Sequence, residues 1–154
     1  MTMSMRALAR VLALAALLTL AAMAPASAIS AKTFEKQVIA ATNAYRANHG
    51  AAAVKLQTCV DTWANGQAKW MAQHKKLQHR DGRLSKIIKD CKLMRASENI
   101  GWNFSSGNKV VKAWSGSKSH ADNMRAPKMR YIGVGVSRAR NGDVYVAQVF
   151  GARK

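Results

Sequence analysis

The stretch Tyr131-Ile132-Gly133-Val134-Gly135-Val136-Ser137-Arg138-Ala139-Arg140-Asn141-Gly142-Asp143-Val144-Tyr145-Val146-Ala147-Gln148-Val149-Phe150 decides the fold class. Two runs rich in β-branched and aromatic residues flank Asn141-Gly142, a pair suited to a reversing turn. They read as an antiparallel hairpin with a somewhat long loop. Gly133 and Gly135 fall on one face of their strand, because side chains alternate with period two. Glycines so placed mark the close approach of a packed helix or a ligand.

Working back from the hairpin, the periodicity becomes helical. Lys32 to Asn48 carries Phe34, Val38, Thr42 and Tyr45 at three- and four-residue steps, and Gly50 stops it. Thr58 to about Lys76 forms a second helix with Val60, Trp63, Ala64, Gln67 and Met71 on one face and Thr58 as its cap. A turn at Arg80-Asp81-Gly82 precedes a short helix from Leu84 to Lys89. Ser97 to Phe104 reads as a short strand, Ser105 to Asn108 as a turn, and Val110 to Ser117 as a third long helix. A further helical turn runs through His120 and Asn123. Helices first, a strand in the middle and a hairpin last give an α+β fold.

The chain has 154 residues, with 25 Lys+Arg against 7 Asp+Glu and a formal charge of +18. That length suits one domain. The charge excludes a near-neutral cytosolic enzyme as the default, and the composition excludes collagen, a long coiled coil and a wholly disordered chain. The first 28 residues read as a secretory signal. Arg6 and Arg10 form a basic start, Val11 to Met23 runs apolar, and Ala26-Ser27-Ala28 is an A-x-A cleavage site. The apolar run of about 13 residues is short for the ~20 that span a bilayer. An uncleaved anchor is the alternative. Cleavage after Ala28 predicts a single exported domain over 29–154, extracellular or periplasmic, and a monomer. Arg6 and Arg10 are the only charges removed, so 23 basic and 7 acidic residues remain, a formal charge of +16.

An exported protein of that charge meets anionic lipids or cell-envelope polymers before nucleic acid. No helix-turn-helix, RNA-binding or zinc-finger motif is present, so specific nucleic-acid readout is not expected. No other segment is apolar enough to span a membrane. Export also makes Cys59 and Cys91, the only cysteines, a disulfide in expectation. Closing a loop of about 33 residues stabilises by roughly 3–4 kcal/mol in a chain-entropy account.

Four histidines are present. His49 ends the first helix beside Gly50, and His74 lies toward the apolar side of the second. His79 and His120 stand at element ends, and Glu98 is one of two glutamates in the chain. The spacings match no zinc motif, so the residues alone make a shared site only one option among several. A further pattern exists. Asn43-Ala44-Tyr45-Arg46, Trp70-Met71-Ala72, Leu77-Gln78-His79, Glu98-Asn99-Ile100-Gly101, Val110-Val111-Lys112-Ala113-Trp114, Ser117 to Met124, Ile132-Gly133-Val134-Gly135 and Gln148-Val149-Phe150-Gly151 stand in one order. Together they resemble the CAP superfamily, the cysteine-rich secretory proteins, antigen 5 and plant pathogenesis-related class 1 proteins, most closely its short secreted bacterial branch.

The resemblance covers about Phe34 to Gly151. It implies a three-layer α-β-α sandwich around a small antiparallel sheet, with an open cleft formed by His79, Glu98 and His120. The family's second acid falls at Ser117, so the acidic pair is incomplete. Three uses stay open for the cleft. It can be a hydrogen-bonded cluster tying loops to the sheet, a site for Zn2+ or another divalent cation on His79 and His120 with Glu98 acting through water, or a centre for metal-assisted hydrolysis of the peptidase type. No cofactor is required for the first. The leading expectation is a binding protein for a lipid (a sterol among them), a glycan or an envelope component. A cationic, toxin-like factor is a weaker reading. No catalytic nucleophile is indicated, since G-x-S-x-G is absent.

Overall fold

The computed structural model describes residues 29–153; the signal segment read at 1–28 lies outside them. The elements in chain order are α1 (Ala31–Ala47), β1 (Lys55–Leu56), α2 (Thr58–His74), α3 (Arg83–Asp90), β2 (Arg95–Trp102), α4 (Gly107–Ser115), α5 (Lys118–Arg125), β3 (Tyr131–Arg138) and β4 (Val144–Ala152). Side chains just outside the helices fix where they begin. The Ser30 hydroxyl accepts from Thr33 N at 3.1 Å, Gln57 Oε1 from Val60 N at 2.7 Å, and Ser106 Oγ from Lys109 N at 3.3 Å. Each satisfies an N–H that has no partner within its helix. The cap of α2 is thus Gln57 and not Thr58.

The strands form one sheet in the order β1-β3-β4-β2. The β3–β4 hairpin is antiparallel, with Arg138 opposite Val144, and β2 is antiparallel to β4, with Glu98 opposite Val149. The sheet is mixed, not purely antiparallel as expected. β1 pairs parallel with β3 through Lys55↔Tyr131 and Leu56↔Ile132. A two-residue strand with both side chains exposed shows no alternation to read.

Helices cover both faces. On one, α2 and α3 bring Val60, Ala64 and Ile87 against Val149. On the other, α1, α4 and α5 contribute Phe34, Val38, Val110, Trp114 and Met124 to a core with Ile132, Val134, Val146 and Phe150. This is the three-layer α+β sandwich. The disulfide Cys59–Cys91 spans 5.6 Å between Cα atoms and ties the first turn of α2 to the end of α3.

The packing of α2 depends on Gly133 and Gly135. A Cβ on Gly133 would lie 2.4 Å from Asp61 N, and one on Gly135 2.4 Å from Ala64 O. Both neighbours are backbone and cannot rotate away. Gly135→Ala is therefore expected to cost roughly 3 kcal/mol by overpacking. Gly66 faces open space in the middle of the same helix, and Gly66→Ala is expected to gain about 0.5–1 kcal/mol. Urea unfolding of the two variants checks both signs.

Candidate functional site

His79 is set in place from α2. The helix ends at Lys75, which takes the left-handed conformation with φ 52°, and the chain then turns back along α2. Gln67, fully buried, donates from Nε2 to Gln78 O at 2.7 Å and accepts at Oε1 from Arg80 Nε at 2.8 Å. The Arg80 guanidinium lies over the Trp70 ring, 5.2 Å from its centre. The residues on both sides of His79 are thus anchored to one buried side chain.

Glu98 approaches from β2. Its carboxylate is almost fully buried and both oxygens are engaged. Oε1 accepts from His79 Nδ1 at 2.9 Å, and Oε2 accepts from Arg83 Nε at 3.1 Å. Arg83, the first residue of α3, is itself buried, donates to Trp63 O and stacks over Trp63. Burial pulls the Arg83 guanidinium below its usual range, and the Glu98 charge opposes that. A carboxylate only accepts, so His79 donates from Nδ1, which leaves Nε2 turned away from Glu98. The His79 side chain is 55% exposed, against 3% for Glu98. A buried acid therefore orients an imidazole that faces solvent.

His120 comes from the first turns of α5, on the other side of β2. Asn99 Nδ2 donates to His120 O at 3.2 Å, and the Trp114 ring centre lies 6.3 Å from that of His120. Asn123 donates from Nδ2 to Asn99 Oδ1 at 2.8 Å and to Glu98 O at 3.3 Å. The pKa of His120 is lowered, first by burial and then by the nearby charge of His79. Ser117 is the residue just before α5, its hydroxyl makes no cap bond, and it is not among the residues lining the cavity described next.

A cavity of about 430 Å³ opens beside the pair, with His79, Arg83, Ser97, Glu98 and Asn123 in its wall. Two of these residues also carry a polar atom that solvent does not reach and that has no protein partner, Arg83 Nη1 and Ser97 Oγ. His120 is not in the cavity wall. Neither Arg83 nor Ser97 was singled out by the sequence. The only signal for Arg83 was chemical: a glutamate facing the core needs a cation, and Arg83 follows the Gly82 turn nearest to His79. His74, placed toward the core by its helical spacing, is instead exposed and stacks on Trp70 at 4.5 Å.

Among the described residues no three His, Cys, Asp or Glu side chains gather closely enough to hold a metal ion. The donor set is two imidazoles, with Glu98 behind one of them. A catalytic zinc takes three protein ligands and an open position, so these residues do not fit a resident catalytic zinc.

The family model described as the cysteine-rich secretory protein family, CAP, matches residues 39–150. The chain belongs to the CAP family. YkwD of Bacillus subtilis is 27% identical to this CAP domain over 127 residues, covering 79% of the chain and 49% of YkwD. The chain thus spans about half the length of that curated relative. Among solved structures, an outer surface protein from Borrelia burgdorferi superposes with a TM-score of 0.73 at 19% identity, over 82% of this chain and 97% of that one. An extracellular SCP-domain protein from Bacillus anthracis superposes with a TM-score of 0.68 at 22% identity, over 80% of this chain and 41% of that one. Identities this low carry the CAP fold and no more.

Two outcomes follow from the cleft of this CAP domain. Glu98→Gln leaves the Arg83 guanidinium buried without its counter-charge and is expected to cost roughly 3 kcal/mol in chemical denaturation. His120 resists protonation in the folded state, while the unfolded chain takes a proton near the ordinary 6.5. Its contribution is therefore complete above 6.5 and lost as pH falls below it. His120→Asn is expected to flatten the fall of melting temperature on the acid side of 6.5, measured with chelator present.

Proposed function

We propose that this CAP domain is an exported binding protein of the cell envelope, whose cleft holds a lipid, glycan or envelope component through His79. The observation that carries this reading is the exposed imidazole fixed by a buried carboxylate. A purely structural histidine gains nothing from a ring half open to solvent. Here Nε2 is aimed outward and accepts from a ligand hydroxyl. Arg83, Ser97 and Asn123 share the cavity wall with His79, so the hollow beside the imidazole is polar.

Export is supported by the basic start at Arg6 and Arg10, the apolar run and Ala26-Ser27-Ala28. Among the described residues no helix is long and apolar enough to cross a membrane. The charge excess after residue 28 favours anionic lipid or polymer as the surroundings in which the cleft works. His79 and His120 are the pair that would hold a divalent ion such as Zn2+, weakly and reversibly. In such a pair Glu98 orients His79, as carboxylates behind metal-bound histidines do. Binding is placed ahead of hydrolysis because both Glu98 oxygens are already engaged, which leaves no open carboxylate to take a proton from water.

The test is mass spectrometry of small molecules carried through a gentle purification of the secreted protein and of His79→Ala. A passenger present in the wild type and absent from the variant, at equal melting temperature, is the expected result. The same passengers in both would sink the reading. Zinc titration in parallel is expected to raise the melting temperature of the wild type and of neither His79→Ala nor His120→Ala.

A further inference from the structure

A second cavity is larger than the cleft. It has a volume of about 880 Å³ and lies at the end of the sheet where β2 and β3 begin and β4 ends. Arg95, Lys128, Arg130 and Arg153 line it together with Met94 and Tyr131, and no acidic residue does. The salt bridges among the described residues involve none of these four cations. Two are held in fixed poses. Arg130 Nη1 donates to Pro127 O at 2.6 Å and to Met129 O at 3.0 Å, and Arg153 lies over the Tyr131 ring, 6.0 Å from its centre.

Four like charges around one groove repel each other, and the fold does not need them there, since all four are exposed. A polyanionic surface turns that repulsion into attraction. The apolar residue beside the charges narrows the choice. Met94, in the lining next to Arg95, is 59% exposed. A soluble anion or a phosphate polymer has no use for an exposed methionine. A bilayer has, with cations at the headgroup phosphates and an apolar side chain at the boundary below.

We propose that this end of the sheet is a docking surface for an anionic lipid bilayer, with Arg95, Lys128, Arg130 and Arg153 at the headgroup phosphates and Met94 at the acyl boundary. It rests on the anionic-partner reading above and uses none of the cleft residues. Docking there holds the protein at the membrane and leaves the His79 cleft to its own ligand.

The experiment is co-sedimentation of the secreted protein with phosphatidylcholine vesicles, with and without phosphatidylglycerol. Binding is expected only with phosphatidylglycerol. The triple variant Arg95→Gln, Lys128→Gln, Arg153→Gln is expected to bind about a hundredfold more weakly, as loss of three juxtamembrane cations implies. A control removing equal charge elsewhere, Lys36→Gln, Lys89→Gln, Lys112→Gln, is expected to lose far less. Met94→Ser is expected to weaken what binding survives at raised salt. Lys128→Glu alone, at an exposed position, gives the same direction should the triple variant fold poorly. Equal losses in both triples would reduce the effect to diffuse charge and overturn the proposal. So would equal binding to vesicles of phosphatidylcholine alone. Full displacement by inorganic phosphate, matched to the lipid phosphate, would make the groove a free-anion site and overturn it too. His79→Ala is expected to bind vesicles as the wild type does. A loss there would overturn this surface while leaving the cleft reading intact.

Discussion

Helix α2 reaches the sheet only because β3 offers no side chains where they meet. With backbone at 2.4 Å from any Cβ at Gly133 or Gly135, the helix lies as close as main chains allow. Asp61 confirms the fit by accepting at Oδ1 from Val134 N at 3.0 Å. That approach determines where Gln67 sits, and Gln67 determines where Gln78 and Arg80 sit. His79, between them, follows. A site residue in a loop with no secondary structure is thus placed by a contact made two elements away.

The other half of the cleft is placed across the sheet. Glu98 and Asn99 are consecutive on β2 and so point to opposite faces. Glu98 meets the α2–α3 layer through His79 and Arg83. Asn99 joins a buried polar chain on the other face. Thr42 Oγ1 accepts from Gln148 Nε2 at 2.7 Å, Gln148 Oε1 from Asn99 Nδ2 at 2.9 Å, and Asn99 Oδ1 from Asn123 Nδ2 at 2.8 Å. Such a network holds one geometry because any slip leaves a buried polar group unpaired. Arg46 fastens the far end of the same layer. It is fully buried and donates to the carbonyls of Ala52, Met124, Ala126 and Met129. β2 is an edge strand, and Asn123 of α5 lines one cavity with His79 and Arg83 of the α2–α3 layer.

The hairpin, the helices and the disulfide were legible because each has a local signature: period-two alternation around Asn141-Gly142, apolar spacing in the helices, and a lone cysteine pair. The contact of His79 with Glu98 was legible only through the order of motifs, since nothing local sets these residues apart from other polar ones. His120, expected in the same cleft, is not in the cavity wall. Arg83 carries no sequence pattern of its own. Its role is a buried contact with Glu98, 15 residues on, and in sequence it is one more cation in a chain full of them. β1 was missed because two exposed residues carry no pattern, and the parallel pairing it makes turned the expected antiparallel sheet into a mixed one.

Arg83 changes what the cleft can do. A carboxylate acting as a general base needs an oxygen open to the proton it removes. In Glu98 one oxygen faces an imidazole N–H and the other a guanidinium N–H, both within 3.1 Å. The acid therefore works by orientation: it holds Nδ1 of His79 and turns Nε2 outward. The same guanidinium also donates to Trp63 O, so the cation that neutralises Glu98 is itself fastened to α2. Glu98 is thus a fixed support, and His79 is the member of the pair that solvent reaches.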